Sequence, residues 1–189
     1  MRRNRIIYRL CLDSMMAALY FILTYVSIRI GEYHITFASL MVILSSLLFG
    51  LPDSLMIAGL GEFLNQTLSY GITITTPLWI LPPLFRALII SLVSMHFRKK
   101  KDRLQNHKIL YFTTIVLAGL ITSAFNTLAT YLDGIIYGYP VNFILLTTLV
   151  RFLINAITAV ILSLLALPVS RGLEKAISHT EKTSEKTNE

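Results

Sequence analysis

Apolar residues in this chain come in six long runs separated by short polar links. A helix needs about 20 apolar residues to cross a bilayer core of about 30 Å. The pattern therefore predicts spans over 10–30, 35–49, 53–70, 77–97, 109–132 and 143–169. The second run is short, which suits a helix that tilts little or lies partly within protein. Gly50-Leu51-Pro52-Asp53 predicts a tight turn, with Pro52 placed to open the third helix. Pro82-Pro83 removes two backbone donors inside the fourth run and predicts a kink or a delayed helix. After Val169 the chain turns to Lys, Glu, Ser and Thr with few apolar residues. Such a segment reads as a charged, disordered tail. The expected organisation is an all-α, six-helix membrane domain over 1–172, followed by a tail over 173–189.

Composition supports the class. Of 189 residues, 54% are hydrophobic and 14% charged, against about 25% charged in an average soluble domain. The net charge of +7 would suit nucleic acid, but the basic residues sit at the ends of apolar runs. That is how membrane topology distributes charge. The arm over 1–9, the loop over 98–108 and the C-terminal segment from Arg171 onward hold fourteen of the 17 Lys/Arg residues. With six spans these three segments share one side, and the positive-inside bias makes it the cytoplasmic side. Both termini are then cytoplasmic. A single cysteine, Cys11, excludes an internal disulfide and a multi-cysteine metal site. No glycine-rich ATP loop, internal repeat or cleavable signal peptide is evident.

Topology assigns depth to the polar residues. Glu62, Asn65 and Gln66 lie in the outer half of the third span, on one helical face by their spacing. Trp79 and Arg86 enter from the outer end of the fourth. Thr122, Asn126, Thr130 and Asp133 form a stripe on the fifth, and Arg151 and Asn155 a four-residue pair on the sixth. Ionisable groups at membrane depth are costly and need a reason. One outward-opening, water-accessible pocket is the economical one, with Glu62, Asn65, Gln66, Trp79, Arg86, Asn126 and Arg151 as its binding residues. Two arginines against one glutamate leave an excess positive charge, which an anionic ligand group would explain. The alternative is an ion-pair network of Glu62, Arg86 and Arg151 that only fixes packing. Thr122, Thr147 and Asn155 equally serve as interhelical glue, and Trp79 and Tyr70 as interfacial anchors.

Several stretches resemble the substrate-binding S component of energy-coupling factor (ECF) vitamin transporters. They are LDSMMAALYFIL at 12–23, ITFASLMVILSSLLFGLPDSLMIAGLGEFLNQ at 35–66, TTPLWILPPLFRALI at 75–89 and LITSAFNTLATYLDGIIYGY at 120–139. The turn Phe49-Gly50-Leu51-Pro52 departs from the family's Phe-Gly-Pro by its Leu. Ser14 stands where the family's small-residue motif has its first alanine. The resemblance implies six helices, a high-affinity pocket near the outer face and gating links carrying Tyr33, Tyr70, Thr75 and Thr76. It implies docking of Ser14, Ala17 and Ala18 on a transmembrane coupling T protein, with two cytoplasmic ATPases completing the importer. Hydrolysis there would topple the S component within a bacterial plasma membrane. No catalysis, cofactor, metal or nucleic-acid partner is implied for this chain.

Two other classes fit the chain less well. A stand-alone secondary transporter would need alternating access, often from internal repeats, which this chain lacks. An intramembrane enzyme would need a catalytic constellation at one depth, yet His34, His96, His107 and His179 fall in links, a helix end and the tail. For the ligand, the arginines favour a carboxylated vitamin such as folate or pantothenate, whereas Trp79 would stack on a pyrimidine or pyridine ring.

Overall fold

A computed structural model describes the backbone of residues 2–30, 33–138 and 140–186, and the side chains of 7–26, 36–138, 140 and 148–175. Its elements in order are α1 (Arg2–Tyr25), β1 (Ser27–Ile30), β2 (Tyr33–Thr36), α2 (Ala38–Leu48), α3 (Leu51–Tyr70), α4 (Thr76–Lys99), α5 (Lys108–Tyr137) and α6 (Val141–Lys186). The class is all-α. Among the described residues, four helices contain segments long and apolar enough to cross a membrane: Ile7–Tyr25, Thr76–Lys99, Lys108–Tyr137 and Thr148–Lys175.

The first span differs from expectation at both ends. The basic arm is already helical from Arg2, and the helix stops at Tyr25 rather than near residue 30. Residues Ser27–Ile30 and Tyr33–Thr36 pair as an antiparallel hairpin in the register Ser27↔Thr36 and Ile30↔Tyr33. Isoleucines alternating with polar residues at 28–30 and 33–36 suit a pleated strand better than a helix. At the other end of the chain, α6 runs on to Lys186, through the charged segment expected to be irregular. Glu, Lys and Ala in that segment are good helix formers.

α2 is the hub. Its 11 residues give a length of about 16 Å at about 1.5 Å per residue, too short to cross a bilayer alone. It is instead enclosed by α1, α3, α4 and α6. Val42, Ile43, Leu44 and Leu47 are almost fully buried, against Ile57 and Ala58 of α3, Ala87 and Ile90 of α4, and Leu162 and Ala166 of α6. Buried serines join the helices: Ser54 Oγ lies 2.7 Å from Ser91 Oγ, linking α3 to α4. Small and hydroxyl residues are the usual contact surfaces where apolar burial gives no net drive in lipid.

Two glycines set approaches that position the site. Gly50 has φ +116° at the start of α3, a conformation L-residues avoid, and Pro52 follows in the first turn as expected. At Gly61, an added Cβ would sit 2.5 Å from Tyr20 Cδ1. The missing side chain lets α1 press Tyr20 onto α3.

Candidate functional site

α4 stays helical through Pro82 and Pro83. Their rings cannot donate to the carbonyls of Leu78 and Trp79, which lose their ladder partners. Both prolines line a cavity of about 500 Å³, within the usual range of about 300–1,000 Å³ for small-molecule sites. It lies at the end of the bundle where α1 and α3 finish and α2, α4 and α6 begin.

Every helix contributes. Tyr20 and Thr24 come from α1, and Glu62, Asn65, Gln66 and Tyr70 from α3. Trp79 and Arg86 come from α4, Thr122, Ser123 and Asn126 from α5, and Arg151, Asn155 and Thr158 from α6. Thr36 and Ser39 reach it from β2 and α2. All seven residues expected to bind substrate thus share one cavity. Three- and four-residue spacing put Glu62, Asn65 and Gln66 on one face, and tertiary packing turned that face inward.

Glu62 is buried and surrounded by donors. Tyr20 Oη donates to its Oε2 at 2.6 Å. Asn65 Nδ2 and Gln66 Nε2 both donate to its Oε1, at 3.1 and 2.7 Å. The network continues outward: Ser69 Oγ donates to Asn65 Oδ1 at 3.2 Å and lies 3.1 Å from Tyr25 Oη.

The arginines are held differently. Arg86 donates through Nε to Thr122 Oγ1 at 3.2 Å and through Nη1 to Ser39 Oγ. Arg151 Nη1 donates to Thr130 Oγ1 at 2.8 Å. Among the described residues, neither arginine forms an ion pair with Glu62. The packing network of the three charges considered from sequence therefore does not form. Two guanidinium charges face one cavity with hydroxyl partners, and among the described residues most of their donors have no other partner. Asn155 Nδ2 donates to Ser123 Oγ at 2.5 Å, so part of that amide is used in joining α5 to α6.

The residues expected to gate divide. Tyr70 lines the cavity and is 73% exposed. Thr75 and Thr76 do not line it. They are buried in the link, where Thr73 N donates to Thr76 Oγ1 at 2.9 Å and the Thr73 and Thr75 hydroxyls lie 3.1 Å apart. Tyr33 has its backbone in β2, and its side chain lies outside the described residues. On α1, Ser14 and Ala18 are exposed, but Ala17 is 3% exposed and packed inside. Neighbouring positions on a helix turn about 100° apart, so one small residue of this trio faces the core. Ala17 therefore cannot share an outer docking face with the other two.

Sequence reasoning missed Tyr20, Thr24, Thr36 and Ser39. Tyr20 sits in an apolar run where Thr24, four residues on, is the nearest polar residue on its face. Only the contact with α3 across Gly61 gives it a polar partner. Ser39 had a signal, being a hydroxyl at the start of a short apolar span.

The sequence pattern of a family described as the S component of ECF-type riboflavin transporters matches residues 6–174. Among solved structures, the S component of a bacterial ECF transporter superposes with a TM-score of 0.64 at 19% identity, covering 90% of this chain and 97% of that one. The S component for biotin from an ECF-type ABC transporter gives 0.58 at 15% identity, covering 90% and 95%. At these identities the likeness concerns the fold. No curated protein matches the sequence.

Proposed function

Because the chain belongs to the ECF-type riboflavin transporter S-component family, we propose that it is the riboflavin-binding subunit of a vitamin importer in a bacterial plasma membrane. It is a multi-pass membrane protein and a substrate-binding transport subunit. The single observation carrying the ligand site is the shared cavity of Glu62, Asn65, Gln66, Trp79, Arg86, Asn126 and Arg151, with two guanidiniums lacking a carboxylate partner among the described residues. In this reading Trp79 stacks on the ring, the amides and Glu62 bond its polar edge, and the arginines donate to carbonyl or hydroxyl oxygens.

The reading includes six crossings, with α2 enclosed by its neighbours and both termini cytoplasmic, as the charge bias supports. Tyr70 and the paired strands Ser27–Ile30 and Tyr33–Thr36 border the outer mouth, while Thr75 and Thr76 shape the link behind it. A coupling T protein docks on the exposed Ser14 and Ala18 of α1, and two ATPases supply the energy that topples the subunit. Family membership supports these partners.

The unpaired arginine charge favours a second reading, a carboxylated vitamin such as folate or pantothenate. Equilibrium binding of purified protein to riboflavin, folate, pantothenate and biotin decides between them. Tight binding of riboflavin alone supports the first reading. Selective binding of a carboxylated member overturns it in favour of the second. No binding by any of the four would overturn both.

A further inference from the structure

Glu62 has its acceptor positions nearly filled. A carboxylate offers about four, and three are taken: two on Oε1 by Asn65 and Gln66, and one on Oε2 by Tyr20. One position on Oε2 remains at the cavity wall. A group presented there must be a hydrogen-bond donor, since an acceptor would meet a carboxylate oxygen. Asn65 and Gln66 fix the other oxygen from the same helix face, so Glu62 cannot easily turn to a different partner. The arginines supply the opposite chemistry, offering donors only.

We propose that Glu62, set in place by Tyr20, Asn65 and Gln66, is the specificity residue that reads a single ring N–H of the ligand. Tyr20 is a positioning residue that occupies one Oε2 position and leaves the other for the ligand. Building on riboflavin as the ligand, the group read is the imide N–H of its ring, which lies between two carbonyls. Those carbonyls are acceptors suited to the neighbouring amides and guanidiniums. The site thereby takes ligands with an acceptor–donor–acceptor ring edge and rejects those whose donor is blocked.

Riboflavin and 3-methylriboflavin, which lacks only that N–H, test this by flavin fluorescence quenching on the purified full chain. A hydrogen bond to a charged group predicts about 10- to 150-fold weaker binding of the methylated flavin to the wild type. A methyl group also adds bulk, so the isosteric Glu62→Gln variant separates the two causes. Riboflavin should weaken at least tenfold on that change, while 3-methylriboflavin changes less than twofold. Equal weakening of both ligands overturns the proposal, as does equal affinity of the wild type for both. If Glu62→Gln fails to fold, Glu62→Asp, which withdraws the carboxylate by one methylene, takes its place with the same expected and overturning outcomes. Failure of riboflavin itself to bind the wild type overturns the riboflavin reading, which distinguishes that outcome from a loss of discrimination alone.

Discussion

Replacing Arg86 by alanine removes a cation from the cavity wall, and its effects on affinity and stability should have opposite weight. Arg86 is held by two hydroxyls, Ser39 Oγ and Thr122 Oγ1, and by no carboxylate among the described residues. A cation so placed carries a desolvation cost that its partners offset only in part. Its loss leaves little unsatisfied, because Thr122 Oγ1 still donates to Ala118 O at 2.7 Å. Thermal stability of Arg86→Ala without ligand should therefore stay the same or rise slightly. Affinity should fall, because a charge-assisted hydrogen bond contributes about 1.5–3 kcal/mol, or about 10- to 150-fold in Kd. Binding by calorimetry or fluorescence, paired with a melting curve in the same detergent, reads both quantities. A variant that binds as tightly as wild type but melts well below it would refute the reasoning. Arg86 would then be a packing residue, and the cavity would need a different ligand-facing group.

Other consequences follow from particular contacts. Gly61→Ala forces Tyr20 off α3, since the new Cβ would sit 2.5 Å from the ring. Overpacking of that kind costs about 1–3 kcal/mol, so the melting temperature and vitamin affinity should fall together, whereas Gly59→Ala, with 3.5 Å to Leu84 Cδ2, should change neither appreciably. On α1, Ala18→Trp should abolish co-purification with a coupling subunit while vitamin binding persists. Ala17→Trp should lose folded protein altogether, because Ala17 is buried; soluble yield and binding separate the two. In the loop between α4 and α5, hydrogen bonds from His107, Asn106 and the Arg103 backbone hold Asp102 down to about 2, below its usual 3.8. A depressed carboxylate stabilises its loop above the unfolded value and loses that contribution as pH falls through the folded one. Pepsin cleavage within 100–107 should therefore rise between about pH 4 and pH 2 in wild type, and should already be high at pH 4 in Asp102→Asn.

The membrane class, the order of the six helices and seven members of the cavity are legible in the chain itself. Length and apolarity set the spans, because lipid leaves a backbone few other ways to satisfy its hydrogen bonds. The seven cavity residues stood out because polar groups at membrane depth need a partner or a ligand. The pairing of Ser27–Ile30 with Tyr33–Thr36 was harder to see, since an alternation of only four residues at the end of a long apolar run is a weak signal. The partners of the charges could not be read at all. Glu62 and Arg86 are 24 positions apart, and spacing alone leaves an ion pair between them open as an alternative to a ligand site. Only the packing of α1 across Gly61 brings Tyr20 to Glu62, and only the enclosure of α2 brings Ser39 to Arg86. Sequence spacing assigns residues to a face of one helix. Which faces meet, and hence which donors satisfy a carboxylate and which cations stay open to a ligand, depends on contacts between helices remote in the chain, and the tertiary structure alone decides them.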